Sequence, residues 1–271
     1  MPRMAKPPSP AVRAGIGGWQ FAPWRGTFYP AGLTQKNELS YASRALRTLE
    51  INSTFYRTPS RTSFAAWHDA TPEGFVFSLK APRQITQQRR LAQTGEAVEH
   101  FVGSGLAALG DRLGPVVWQF APFKRFDADD LDAFLTLLPR DAEGLPLQHV
   151  LEVRHESFLN AEFLALVRRH GVALVGTDSD DYPSFFDTSG PLVYLRLMRA
   201  RSDEATGYPA DELTAWRTRA DTWARGDEPE GLPRIAAPAP TGQPRAVHVL
   251  FINGAKERAP LAAKAFTDGL G

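Results

Sequence analysis

Eight short runs rich in β-branched and aromatic residues recur along the chain, and segments with helical periodicity stand between them. The runs are AGIGG (14–18), TLEIN (48–52), FVFSLK (75–80), PVVWQF (115–120), HVLEVR (149–154), VALVGTD (172–178), LVYLRL (192–197) and VHVLFIN (247–253). Parallel strands need long crossovers, usually helical, so this alternation predicts βα units in one parallel sheet. The helix signals agree. Asp127 stands at an N-cap position before Leu131, Phe134, Leu135 and Leu138, which recur at helical spacing. Asn160 caps Phe163, Leu164 and Val167, with Gly171 as the stop, and Pro209 opens a segment carrying Leu213, Trp216, Ala220 and Trp223 that Gly226 closes. Eight units in 271 residues fit a single (β/α)8 TIM-like barrel, for which about 250 residues is typical. An open doubly wound sheet is the alternative. We expect a disordered tail over 1–12 and one barrel domain over 13–271. The Pro/Gly-rich stretch 226–245 reads as a mobile excursion that makes the barrel irregular near its last strand.

Bulk properties narrow the function. A net charge of +1 gives no argument for nucleic acid from charge alone. The absence of cysteine excludes disulfides, thiolate zinc sites, iron–sulfur ligation and a cysteine nucleophile. The start, MPRMAKPPSPAVR, is basic and Pro-rich without an apolar signal core, and no apolar run is long enough to span a bilayer. The expectation is a cytoplasmic protein without membrane contact.

Side chains alternate across a strand, so parity sorts each run into two faces. Glu50 and Asn52 share a face, as do Ser78 and Lys80, Glu152 and Arg154, and Tyr194 and Arg196; Gln119, Asp178 and Asn253 (the last with Phe251) belong to the same set. The apolar faces must cover the helices. The polar faces then point into the barrel, and they lie at the C-terminal strand ends where barrel enzymes hold their chemistry. Glu50 and Glu152 are candidate acid/base or acid/nucleophile carboxylates. Lys80 is a third catalytic candidate. Flanking carboxylates are expected to keep it charged, which favours an anion or oxygen ligand over a Schiff base. Asn52, Gln119, Arg154, His155, Asp178, Arg196 and Asn253 are candidate binding groups, with Trp19, Trp24, Phe55 and Tyr56 as an apolar wall. A mutually compensated ion network that plugs the barrel is the competing reading. The convergence of so many charged ends on one rim favours a ligand site.

Arginine forks suit carboxylate or phosphate, and Arg83 follows closely in the third loop, so the expected ligand is anionic or sugar-like. No HExxH pattern joins the six histidines, and no metal site is assigned; Mg²⁺ or Mn²⁺ on Glu50, Glu152 and Asp178 stays open, and no cofactor is demanded. GIGGWQ (15–20) lacks the third glycine of a dinucleotide fingerprint. Three readings follow: a small-molecule enzyme of hydrolase, lyase or isomerase type; a nucleic-acid-binding or processing protein gripping phosphate; and a ligand-binding protein without turnover.

GWQFAPWRGTFYP (18–30), YASRALRTLEINSTFYRTPS (41–60), TPEGFVFSLKAPRQIT (71–86), LGPVVWQFAP (113–122) and LEVRHESF (151–158) resemble the YecE-like family, a group of domains of unknown function. The resemblance runs from about Gly15 to the C-terminus, and EINSTFYR followed by EVRH is its specific signature. It implies a (β/α)8 barrel and leaves the chemistry open. Where many members read Arg-x-His-Gly, this chain has Arg196, Leu197, Met198 and Arg199. Where they read Ile-Thr-His it has Ile85, Thr86 and Gln87. Gln-x-Pro-Pro becomes Gln119, Phe120, Ala121 and Pro122, and Phe-Asn-Asn becomes Phe251, Ile252 and Asn253. Loss of the two histidines is the argument for binding without turnover.

Overall fold

Eight parallel strands close into a barrel in the computed structural model, which describes residues 12–238 and 240–270. They are β1 (Val12–Gly17), β2 (Thr48–Ile51), β3 (Val76–Lys80), β4 (Leu113–Gln119), β5 (His149–Glu152), β6 (Ala173–Thr177), β7 (Leu192–Leu197) and β8 (Ala246–Phe251). β1 pairs with both β2 and β8, which closes the ring without a free edge. All eight anticipated strands are present. The tail expected at 1–12 lies outside the described residues except for Val12, which already pairs with Val247. A two-residue antiparallel hairpin that the sequence reading did not anticipate joins Asp141–Ala142 to Leu145–Pro146, turned through Glu143 and Gly144 at positive φ.

Around the strands lie α1 (Glu38–Ala45), α2 (Arg61–Asp69), a one-turn α3 (Arg83–Thr86), α4 (Gly95–Val102), α5 (Ala128–Leu137), α6 (Ala161–His170), α7 (Ala210–Ala224) and α8 (Ala259–Asp268). The anticipated caps hold: the Asp127 carboxylate accepts from Asp130 N–H at 3.1 Å, and Asn160 Oδ1 accepts from Phe163 N–H at 2.9 Å. None of the described helices is long and apolar enough to cross a membrane.

The sixth crossover departs from a regular barrel. Residues 178–191 contain no helix, and two loops do its work. Phe186 packs so tightly on β6 that a Cβ at Gly176 would lie 2.5 Å from its ring, and it also meets Trp216 and Trp223 of α7 at 5.6 and 6.3 Å. Described residues of the 226–245 excursion lie against this loop. The Asp187 carboxylate accepts from Ile235 N–H (2.7 Å) and Ala236 N–H (3.0 Å), and Pro233 O accepts from Phe186 N–H (2.9 Å). Glu228 gathers Arg234 (2.7 Å), Arg245 (2.9 Å) and Thr188 (2.7 Å). A segment rich in proline has few N–H donors to satisfy, so it can cover a strand without a regular ladder.

Inside the barrel, Val117, Val150, Ala173, Val175, Leu192, Tyr194, Leu250 and Ile252 form a small apolar core distinct from the larger one between strands and helices. That assignment corrects the parity reading of β8. Phe251 points outward onto Tyr208 (5.5 Å) and Phe266 of α8 (5.9 Å), so Asn253 does not share an inward face with it. The strand has ended by Asn253, whose φ of 67° turns the chain back across the mouth.

Candidate functional site

The inner faces of five strands carry one hydrogen-bonded chain of polar groups above the apolar floor. Ser78 Oγ lies 2.7 Å from Tyr194 Oη, and Tyr194 O–H donates to Glu50 Oε2 at 2.9 Å. Arg196 Nη2 donates to Glu50 Oε1 at 2.7 Å, and its Nη1 donates to Glu152 Oε2 and to Gln119 Oε1 (2.9 Å). Arg154 Nε donates to Glu152 Oε1 at 2.7 Å, with Nη2 on Gln119 at 3.1 Å. Each of the four carboxylate oxygens thus already accepts a bond. Arg196 is 2% exposed and both glutamates are buried, so the pairing is what offsets a desolvation penalty of several kcal/mol per ion. Burial pushes the Glu152 carboxyl up, but Arg196 and Arg154 beside it more than cancel this and hold it below the usual carboxylate range. The compensated-network reading therefore describes these residues. Every oxygen of Glu50 and Glu152 thus holds a donor, and in Glu152 the arginines lower the affinity for a proton.

A cleft of about 310 Å³ opens directly above, lined by Trp24, Asn52, Tyr56, Lys80, Gln119, Arg154, Arg196, Ile252, Asn253 and Lys256. Lys80 rises from the end of β3 with Nζ 4.0 Å over the Phe55 ring centroid. Among the described residues its ammonium has no hydrogen-bond or carboxylate partner. Burial pushes its pKa down to about 8, helped by Arg196, and Glu50 and Glu152 do not make up the difference. The carboxylates oppose this fall, as expected, without reversing it, and a pKa of about 8 still leaves the ammonium the major form at neutral pH. Their oxygens bond to the arginines and to Tyr194, and the lysine is left to an aromatic face.

Lys256 is the cation that strand parity missed. It sits in the turn after β8, with Nζ 4.5 Å from the Phe21 centroid and 5.8 Å from that of Trp24, and burial lowers its pKa. The signal was there: a lysine three residues past Asn253 in the loop of a predicted mouth. Tyr182, from the helix-less sixth loop, was also missed; the Arg154 guanidinium lies 4.1 Å over its ring. Loop residues carry no periodicity to read.

Four anticipated residues fall elsewhere. Trp19 turns outward and packs edge-on against Trp67 (5.4 Å) and near Phe77 (6.3 Å), so Trp24 alone of the first-loop tryptophans lines the cleft. His155 caps a short turn, its Nδ1 accepting from Ser157 N–H at 3.1 Å. Asp178 lies beyond the end of β6, accepting from Met198 N–H and from Tyr208 O–H (3.1 Å), and burial pushes its pKa up to about 6. Phe55 is buried beneath Lys80 instead of forming a wall. Glu50, Glu152 and Asp178 consequently do not converge, and among the described residues no three His, Asp or Glu side chains gather as metal ligands. At the positions that differ from the family motif, Met198 is buried with its sulfur 3.6 Å from Asn253 Nδ2, Ile252 lines the cleft, and Gln87 lines an adjacent groove beside Tyr56 and Arg83.

Barrel and mouth together define a (β/α)8 protein with a cation-rich cleft over a buried Glu–Arg network. The chain belongs to the family described as protein of unknown function DUF72, whose model matches residues 13–271, and this is the YecE-like family of the motifs above. It is similar to the crystal structure of a DUF72 family protein from Thermotoga maritima, with 22% identity, a TM-score of 0.74, and coverage of 96% of this chain and 98% of that one. A DUF72 family protein from Enterococcus faecalis is similar at 19% identity and a TM-score of 0.70, covering 96% and 95%. No curated protein sequence matches.

Proposed function

We propose that the mouth is a small-molecule active site for an anionic substrate bearing phosphate or carboxylate. Arg154, Lys256 and Asn52 bind it, Lys80 exchanges the proton, and Glu50 and Glu152 act as positioning residues that hold the arginines. One observation carries this reading: four cations line or floor the cleft, and the two carboxylates are both bonded to arginines. Two lysines then face a partly dehydrated space with no carboxylate bonded to them among the described residues. An entering anion supplies it, in surroundings where charge-assisted bonds are stronger than in bulk water. A lysine near pKa 8 is also suited to proton transfer around neutral pH.

Thermal unfolding tests it. Inorganic phosphate and a panel of mono- and dicarboxylates are added at ionic strength held constant with chloride. At a ligand concentration near one hundred times Kd the wild type gains about 2.7 kcal/mol, and Arg154→Ala and Lys256→Met lose the gain. A wild-type melting temperature indifferent to every anion sinks the reading.

A second reading has its own support. Residues 52–60 and 81–95, the loops after β2 and β3, contain no acidic residue but carry Arg57, Arg83, Arg89 and Arg90, and Tyr56 (70% exposed) and Phe123 (69% exposed) stand free on the same rim. Arginines along a backbone and aromatics under bases are how single strands are held. Steeply salt-dependent binding of a fluorescent oligothymidylate supports it, and no binding at low salt removes it.

A further inference from the structure

We propose that Lys80 is a carbonyl-reactive amine that forms an imine with a small oxo acid, a ketone or aldehyde carrying a carboxylate or phosphate. The inference rests on the anionic-substrate reading and names the class of that substrate.

Attack on a carbonyl carbon needs an amine that no carboxylate ties up. The lysines that the structure pairs are unsuitable: Lys124 is fixed to Asp130 at 2.7 Å and Lys264 to Asp268 at 2.8 Å. Lys80 differs in three ways. Among the described residues its Nζ lies over the Phe55 ring and bonds to no carboxylate. The two carboxylates within electrostatic reach direct all four oxygens to Arg196, Arg154 and Tyr194. It opens into a cleft that also holds Arg154, Lys256 and Asn52, so the acid group of an oxo acid has anchors while its carbonyl meets the amine. Burial in such a setting is one of the ways a lysine is activated.

The step balances within the cleft. The ammonium of Lys80 and the carbonyl compound give a protonated imine and one water. Nitrogen adds to the carbonyl carbon, the carbonyl oxygen takes two protons from nitrogen by way of the carbinolamine, and it leaves as water. No oxidant or reductant is required. The product keeps the single positive charge that the site already accommodates beside Glu50 and Glu152.

The test uses the full chain and glyoxylate as probe, with cyanoborohydride to reduce any imine to a carboxymethyl-lysine that peptide mapping locates. At about pH 7.5 a lysine of pKa near 8 carries on the order of a hundred times more free amine than one of 10.5. After allowing for its weaker basicity, Lys80 should be modified at least about tenfold faster than Lys36 or Lys264 in the same molecules. These internal references make the readout independent of any variant. Phosphate should slow modification at Lys80 and at Lys256 in the same cleft but not at Lys36 or Lys264, and Arg154→Ala should slow it at Lys80. Equal rates at Lys80 and Lys36 overturn the inference. If phosphate stabilises the fold and Arg154→Ala abolishes that effect while Lys80 stays unreactive, the imine fails and the anion site stands. Fast modification of Lys80 that neither phosphate nor Arg154→Ala alters overturns the oxo-acid assignment together with the anion site.

Discussion

Replacing Lys80 by methionine should make the protein more stable and remove its chemistry. The ammonium is displaced from an ordinary value of 10.5 to about 8 because the folded state dehydrates it next to Arg196 without supplying a bonded carboxylate. At about 1.4 kcal/mol for each pH unit, that displacement corresponds to at most roughly 3.5 kcal/mol of strain at neutral pH. Residual solvent contact and the Phe55 face reduce the net figure to about 1–3 kcal/mol. Methionine keeps the straight chain over Phe55 and carries no charge. The pH dependence follows from the direction of the shift. Between about 8 and 10.5 the folded state holds fewer protons than the unfolded chain, so wild-type stability rises with pH across that window. Below about 8 the penalty is fully present. Urea unfolding near pH 7 should therefore place Lys80→Met above the wild type by about 1–3 kcal/mol, and the gap should close toward pH 10. A variant no more stable than wild type at neutral pH, or a gap that does not change with pH, would refute the reasoning.

Arg196→Met should cost about 3–5 kcal/mol in urea unfolding, because it leaves two buried carboxylates without their shared cation. Adding Glu50→Gln and Glu152→Gln to it should recover much of that loss, and a single variant within about 1 kcal/mol of wild type would contradict the network. His248, at the barrel floor, stacks on Tyr194 with centroids 5.7 Å apart and, among the described residues, has no partner for Nδ1. Burial, with Arg13 second, pushes its pKa down to about 3. The folded state then holds fewer protons than the unfolded chain between about 3 and 6.5, so stability falls as pH drops through that range, by up to roughly 5 kcal/mol. His248→Leu should flatten the decline in an acid titration of stability, and an unchanged acid midpoint would show that another group sets it.

Local periodicity made most of this architecture legible. Eight strands, the Asp127 and Asn160 caps and the inward positions of Glu50, Lys80, Glu152 and Arg196 all follow from spacing that each segment carries by itself. Parity failed where strands end. Asp178 and Asn253 each stand just beyond the last paired residue, so the alternation no longer governs their direction. β6 is also apolar on both faces, with Leu174 and Gly176 outward and Val175 and Thr177 inward, so its sequence could not announce which face was which. The first-loop tryptophans separate for a similar reason. Trp19 and Trp24 are equally aromatic and both follow β1 in its loop, and only tertiary packing sends one to Trp67 and the other to the cleft.

Charge partnership was the least legible feature, and arginine geometry explains how it resolves. Six charged side chains gather at the mouth: Glu50, Lys80, Glu152, Arg154, Arg196 and Lys256. A list of signs does not say which cations go unpaired. A guanidinium presents several N–H groups in a rigid plane and can serve two carboxylates at once, whereas an ammonium is a compact, strongly hydrated point charge that loses more on burial. Arg196 does bridge Glu50 and Glu152, Arg154 takes the remaining Glu152 oxygen, and the last Glu50 oxygen goes to Tyr194. Once the forks have claimed the carboxylates, the lysines are the residue of the competition, and both end on aromatic faces. The buried network and the open cleft are therefore one arrangement. The same pairing that gives every Glu50 and Glu152 oxygen a donor leaves Lys80, among the described residues, without a carboxylate.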